Sequence, residues 1–392
     1  MSKVKRIPLG EVGTFRRGGN FKKSDFIEDG YPCIHYGQIH TKFGASTYSH
    51  LTSIPEAIAT RCPKATTGDL VIAITSEDVE GSCKCTTWLG EYDIALGGHI
   101  ARYRHTLNPK YVSYFFQSPI FHKEKSQYTR GFKVTEIKPS DIAKIAIPVV
   151  DEHRQKEIVD YLDSAFSKID QMKENAIEAY EKAKYLFSCR LAELLSPSND
   201  WQESTLGKIS IIAGNYGLSV PSKPFNGIRY LRITDITEWG DLNNNMVSAD
   251  IQEDTRQIPL IDGDMLFART GATVGKTLLY KEQYGDCLFA GYLIRYRLNP
   301  QIMLPKFLFY ITHSDKYYKW VAANQKVAAQ PNISAKTYNS LKLQFPNIAR
   351  QDYIVKELDN MFEKVQTLKC NLDTITEKCN SLKQAILKET FE

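Results

Sequence analysis

The decamer RQKEIVDYLD, Arg154 to Asp163, returns as RQDYIVKELD at Arg350 to Asp359, so Arg-Gln-x-x-Ile-Val-x-x-Leu-Asp occurs twice at a separation of 196 residues. Moving outward from the two copies, the likeness continues in both directions. Leu9-Gly10 falls on Leu206-Gly207, Gly30 on Gly227, and Gly68-Asp69-Leu70-Val71 on Gly263-Asp264-Met265-Leu266. Arg102-Tyr103-Arg104 falls on Arg295-Tyr296-Arg297, and Pro148 on Pro346. Anchors in one order with small shifts identify an internal duplication, and a repeat of this length must be recognised before any motif is weighed.

Downstream of Ile354 the apolar residues fall at Leu358, Met361, Val365, Leu368, Leu372, Ile375, Cys379, Leu382 and Ile386, an alternation of four and three. That spacing is the seam of a coiled coil. The same register in the first copy gives Ile158, Leu162, Ala165, Ile169, Met172, Ala176, Ala179, Ala183 and Leu186, a thinner, alanine-rich seam. Each decamer therefore opens a long helix. The stretches before them are rich in Gly, aromatic and β-branched residues. Runs such as Leu70 to Ile74, Ile100 to Tyr103, Ile145 to Val149, Met265 to Ala268 and Leu293 to Tyr296 read as strands. YVSYFFQ (111 to 117) and KFLFYITH (306 to 313), each shortly after an Asn-Pro, read as helices. The expected fold class is α+β: two mixed α/β globular domains joined by two long antiparallel coiled-coil helices, the halves related by a pseudo-twofold. The expected divisions are 1–150, 151–196, 197–347 and 348–392.

The 392 residues are long enough for more than one core. A net charge of +5 is modest, but it is unevenly placed: basic residues exceed acidic ones in both globular stretches and fall below them in both helical ones. Basic globules with acidic connecting helices suit a protein that grips phosphates and uses its helices as a spacer or a partner surface. No run is apolar enough for a membrane span, and MSKVKRIPLG lacks the apolar core of a leader, so a cytoplasmic chain with no membrane partner is expected. Eight cysteines form no C-x-x-C pair, and Cys83-x-Cys85 stands without a companion pair, so buried reduced thiols rather than a metal site are expected.

Catalytic signatures are missing or broken. Gly271-Ala272-Thr273-Val274-Gly275-Lys276-Thr277 has three residues between its glycines where a phosphate-binding loop needs four, and it is followed by strand-like sequence. A tight turn whose Lys276 meets a DNA phosphate is the better reading, with a plain hairpin as the alternative. No methyl-donor fingerprint, N-P-P-aromatic or D-P-P-aromatic motif, H-E-x-x-H or G-x-S-x-G occurs, and Glu136-Ile137-Lys138 lacks an upstream Pro-Asp. The expectation is a non-catalytic chain with no catalytic residues, no cofactor and no metal.

A duplicated globule and helix, with G-D-hydrophobic-hydrophobic in the globule and a Pro before the R-Q-x-x-I-V-x-x-L-D helix start, resembles the specificity subunits of type I restriction-modification enzymes. The resemblance covers essentially the whole chain and is most specific at 151–163, 348–359 and 262–276. It implies that 1–150 and 197–347 are target recognition domains, each reading one half of a bipartite site in double-stranded DNA. It implies that 151–196 and 348–392 set the spacing and dock methyltransferase (modification) subunits, two in number, through which restriction subunits join. A coiled-coil scaffold that binds protein alone is the alternative.

Base and phosphate recognition needs donors and acceptors on loops held by a sheet. In the first half the candidates are Lys22 and Lys23 for the backbone, His35, Tyr36 and Gln38 after a strand, then Lys84, Arg130 and Lys133. In the second half they are Tyr216, Arg232, Thr234 and Asp235, then Arg269, Thr270, Thr273 and Lys276, then Lys326, Gln330 and Asn332. The Arg-Tyr-Arg pairs alternate on strands and read as structural. Where the second half has Arg269-Thr270-Gly271, the first is aligned with Thr75-Ser76-Glu77, leading into Asp78-Val79-Glu80. Either these carboxylates accept from cytosine amino groups, or the loop turns from DNA and Lys84, Lys22 and Lys23 hold the phosphates; the second is favoured. Two unlike half-sites at fixed separation are expected, rather than a palindrome.

Overall fold

The computed structural model describes residues 5–129, 135–251, 259–325 and 331–392. The chain divides into two compact units, one formed by Met1–Ala176 with Leu372–Glu392 and the other by Ile177–Asn371. Both divisions fall inside the two long helices, Glu152–Leu194 and Ile348–Phe391.

In the first unit a five-stranded sheet has the order Gly13–Arg17, Ile100–His105, Leu70–Ala73, Cys85–Trp88, Ser46–Thr47, antiparallel except for the last pair. A second sheet sets Tyr31–Ile34 parallel to Ile94–Leu96 and flanks them with Thr52–Ile54 and Lys64–Ala65. Lys5–Pro8 pairs with Ala146–Val149, immediately before the long helix.

The second unit repeats the centre of this framework with fewer strands. Its four-stranded sheet runs Ser210–Tyr216, Leu293–Leu298, Met265–Ala268, Thr277–Leu279. Arg229–Leu231 lies parallel to Cys287–Phe289, and Gln202–Thr205 pairs with Lys342–Phe345. Parallel pairing cannot be closed by a tight hairpin, so its presence at the same place in both units marks shared topology rather than shared composition.

The duplicated motifs lock these parts together. Asp69, buried, takes two hydrogen bonds from Arg104 at 2.9 and 2.6 Å, and Asp264 takes the equivalent pair from Arg297 at 2.7 and 2.8 Å. Between the arginines, the Tyr103 hydroxyl donates to the Leu9 carbonyl and the Tyr296 hydroxyl to Asn339 and the Ala335 carbonyl. The Arg-Tyr-Arg strands are thus structural, as their alternation suggests.

The decamers fasten helix to globule. Gln155 accepts from the Asn108 amide at 2.7 Å and donates to the Val150 carbonyl, and Gln351 accepts from the Leu304 amide at 2.9 Å and donates to the Ile302 and Pro346 carbonyls. Two turns on, Asp163 accepts from the Tyr114 hydroxyl and pairs with Lys110, while Asp359 accepts from the Tyr310 hydroxyl and pairs with Lys306. Those partners lie on the short helices Pro109–Phe116 and Pro305–Ile311, where the sequence places helices.

Within each unit the long helices run antiparallel. In the first, Phe166 and Asp170 meet Lys383, and the Ile169 carbonyl meets Cys379. In the second, Tyr180 meets Lys369, Phe187 meets Phe362, and Arg190 meets Glu357. The heptad reading needs correction at several positions. Met172 (58% exposed), Leu186 and Leu382 face solvent, whereas Tyr180, Phe187, Leu191, Leu387 and Phe391 are buried. A straight helix of 3.6 residues per turn drifts from a strict seven-residue repeat, and the ends also turn toward their globules. Phe391, for example, packs on Tyr111 and Phe115.

Candidate nucleic-acid interface

Hydrogen bonding fixes which residues of the two halves correspond. Ala268 pairs with Leu293 as Ala73 pairs with Ile100; the Arg269 amide donates to the Tyr292 carbonyl as the Ile74 amide donates to that of His99, each at 3.0 Å. The Ile333 amide donates to the carbonyl of Arg269 as the Ile137 amide donates to that of Ile74. Arg269 therefore stands opposite buried Ile74, one residue before the Thr75 that the sequence alignment matches to it. Gly68 and Gly263 stand 195 residues apart, and that offset carried on without a gap places Arg269 on Ile74, whereas the Thr75 match needs a one-residue shift that the ladders do not contain. By the same ladders Tyr216 corresponds to Arg17, Asn332 to Glu136 and Tyr292 to His99.

In the second unit three candidates from separate segments converge. The Arg269 guanidinium lies 4.8 Å over the Tyr216 ring, and its Nε donates to Asn332 Oδ1 at 3.3 Å. Thr270 and Asn332 form a backbone bridge, and the Tyr216 hydroxyl accepts from the Ala335 amide. Arg269 also lines a cleft of about 680 Å³ with Arg232, Thr234, Tyr230 and Tyr292. Tyr292 is 61% exposed and was not among the sequence candidates. Its signal was the position it shares with His99, after a glycine and before the Arg-Tyr-Arg strand.

Asp235, only 1% exposed, is no free acceptor: it takes Arg232 Nε and Nη2 at 3.2 and 2.8 Å and the Arg232 amide at 2.9 Å. Thr234 beside it is exposed, and its carbonyl accepts from Asn243. The Gly271–Thr273 turn and Gly275 connect Met265–Ala268 to Thr277–Leu279 as a hairpin, with no helix after it. Gly275 has φ +88°, and a Cβ there would come within 2.8 Å of Val321, so glycine is required. The Thr273 hydroxyl donates to the Thr270 carbonyl, and the half-buried Lys276 ammonium lies 3.5 Å from the Ile236 carbonyl.

In the first unit Lys22 and Lys23 are exposed, and the Lys22 amide donates to Asp25. His35 is 8% exposed and caps the helix Tyr36–Thr41; burial, followed by Lys23 and His99, lowers its pKa. Gln38 accepts from the His35 amide and donates to Thr52, so both side chains shape the loop. Tyr36 packs edge-on against His99 and His40, and His40 contacts the Thr75 carbonyl. Arg17 pairs with Glu136 at 3.1 Å. Lys84 is exposed and shares a cleft with His40, Glu80 and His122. Arg130, Lys133, Lys326 and Gln330 lie outside the described residues.

The acidic loop is tied from within. Lys125, almost fully buried, donates to the Glu80 carbonyl at 3.0 Å and to that of Ser82, and burial depresses its pKa. Val79 and Glu80 border a hollow with Pro119, Asn380, Lys383 and Gln384, the last three on the second long helix.

Among the described residues no group of three or more His, Cys, Asp or Glu side chains could hold a metal, and no helix is long and apolar enough to cross a membrane. The chain is 23% identical to the specificity subunit of the StySPI type I restriction enzyme of Salmonella potsdam, over 98% of its own length and 87% of that protein. It is also 23% identical to the EcoKI specificity subunit of Escherichia coli strain K12, over the same shares. A chain from a type I R-M system whose assembly and conformational transition have been described structurally has the same fold, with a TM-score of 0.76, 18% identity, and coverage of 99% and 97%. The family model for the type I restriction modification DNA specificity domain matches twice, at residues 1–179 and 198–377, and the chain belongs to that family.

Proposed function

We propose that this chain is the non-catalytic address subunit of a type I restriction-modification complex, reading a bipartite, asymmetric site in double-stranded DNA and bringing partner enzymes to it. Residues 1–150 and 197–347 serve as the two target recognition domains, and 151–196 and 348–392 as the helices that space them. Methyltransferase subunits, two of them, supply the chemistry on adenine, and restriction subunits join through the methyltransferase. The whole acts in the cytoplasm.

One observation carries the asymmetry. On one hydrogen-bonded frame, three corresponding positions hold Arg17, Ile74 and Glu136 in the first unit but Tyr216, Arg269 and Asn332 in the second. Sequence reading depends on the donors and acceptors offered to base edges, so a shared frame with different side chains reads different bases. The acidic loop is assigned to the helix side of the first unit, in keeping with the hollow it shares with Asn380, Lys383 and Gln384, which leaves Lys22 and Lys23 for phosphates, with exposed Lys84 at the edge of the adjoining cleft as a further candidate. Family models for DNA specificity that match both repeats do not favour a scaffold binding protein alone.

Mapping methylated adenines across the genome of cells with and without this chain tests the proposal. A two-part motif with unlike halves and a constant gap is expected to vanish on deletion. Unchanged methylation, together with no preference for any duplex by the chain and its methyltransferase in gel shifts, refutes the reading.

A further inference from the structure

The geometry points to Arg269 as the reader of a guanine in the half-site taken by the second unit, with Tyr216 and Asn332 as its positioning residues; this rests on the DNA-reading function proposed above.

Two arginines line the cleft, and only one is uncommitted. Arg232 is neutralised by buried Asp235 through two of its nitrogens. Arg269 meets no carboxylate among the described residues. Its Nε is engaged by the neutral amide oxygen of Asn332, and its plane rests on Tyr216, whose hydroxyl is itself held by the Ala335 amide. Backbone bonds on both sides, to Tyr292 and from Ile333, fix the residue it hangs from. What remains is the Nη pair, two donors side by side, with the full positive charge.

Parallel donors need two adjacent acceptors. Of the four bases, guanine alone presents a pair of acceptors, N7 and O6, on its major-groove edge; adenine and cytosine place an amino donor there, and thymine one oxygen beside a methyl group. A phosphate also offers paired oxygens, but the backbone is the same in every half-site, so a phosphate grip at this position would be useful in both units. The corresponding residue in the first unit is Ile74, buried and uncharged. A contact that one repeat keeps and the other lacks matches a base that differs between half-sites. Holding the fork by stacking and by Nε also removes side-chain freedom before binding, which favours discrimination over simple attraction.

The test uses the full chain with its methyltransferase subunits and duplexes randomised across the second half-site, selected by binding and sequenced. Wild type is expected to require guanine at one position. Arg269→Lys, which keeps the charge but loses the fork, should reduce that preference by about 5- to 150-fold, the range of a bidentate contact, and leave the other positions unchanged. Asn332→Ala should weaken the same position and no other. Because a variant can lose its fold, wild type is also measured on duplexes carrying 7-deazaguanine there, and the same selective loss is expected. If Arg269→Lys and 7-deazaguanine leave base choice intact, or Arg269→Ala weakens all sequences equally, the assignment is wrong while the address function stands. If wild type selects no base at any position, both fall.

Discussion

Arg297 grips Asp264 through two hydrogen bonds, Nε to Oδ1 at 2.7 Å and Nη2 to Oδ2 at 2.8 Å, with the carboxylate wholly buried. The same carboxylate accepts from the Ile261 amide at 3.0 Å and lies 3.8 Å from Arg295. One aspartate thus closes the turn before the central strand and ties that strand to its neighbour. Losing Arg297 leaves the buried carboxylate with Arg295 at 3.8 Å as its remaining cation, so the cost falls short of the ~3–5 kcal/mol of a wholly uncompensated buried charge. Arg297→Ala is expected to lower stability by about 1.5–3 kcal/mol in urea denaturation, the range of a hydrogen bond to a charged group, and Arg104→Ala, whose side chain is half exposed and whose partner Asp69 keeps Arg102 at 4.0 Å, to lower it by less. A loss below about 1 kcal/mol in both would show that the pairs are incidental.

The repeated decamer makes a second prediction, because its glutamine serves the fold and not the ligand. Gln351→Leu strands the Leu304 amide and the Pro346 and Ile302 carbonyls, and each buried polar group left unpaired costs about 1–3 kcal/mol. Its neighbour Arg350 is exposed, and Arg350→Ala should stay within about 0.5 kcal/mol. Thermal unfolding of the two variants separates a structural signature from a surface one.

Much of this organisation was legible in the sequence, because repeats, strand runs and helix starts are local patterns. The duplicated decamer located both helices, and the Asn-Pro pairs pointed to the helices they dock on. The burial stripe was less legible. Leu162 is buried and Met172, on the same heptad seam, is exposed, because the buried face is set by what packs against it and not by spacing alone. Leu162→Ala is expected to cost about 2–5 kcal/mol, and Met172→Ala to fall within about 0.5 kcal/mol, by chemical denaturation. The site was the least legible part. Arg232 with Asp235, and His35 with its cap, are contacts within three residues whose pairing residue types alone do not reveal, whereas the meeting of Tyr216, Arg269 and Asn332 depends on strands paired across long separations.

Acid should weaken the first unit by a traceable route. His105 and His122 are held neutral by burial, each with a pKa pushed down to about 4 from an ordinary 6.5. Between those values the unfolded chain binds more protons than the folded one, so stability rises with pH across that window and falls as pH drops from 6.5 toward 4. Above 6.5 the contribution fades as the unfolded chain's histidines also become neutral. His122→Gln should reduce the pH dependence of the unfolding free energy between pH 6.5 and 4 by its share, leaving that of His105; an unchanged slope would show that His122 does not contribute.

Phosphate contacts should separate from base contacts by their response to salt. Lys22 and Lys23 are exposed, Lys23 close enough to His35 to act on its pKa, with no acidic partner bridging either side chain among the described residues. Each phosphate neutralised contributes about 0.9 to the slope of log affinity against log salt. The double variant Lys22→Ala, Lys23→Ala is expected to reduce that slope by about 2, weaken all duplexes alike and leave the selected half-site unchanged. Lys276, half-buried against the Ile236 carbonyl, should give a smaller change in slope when replaced by alanine. A change in base choice from the lysine pair would move them from the phosphates to the base edges.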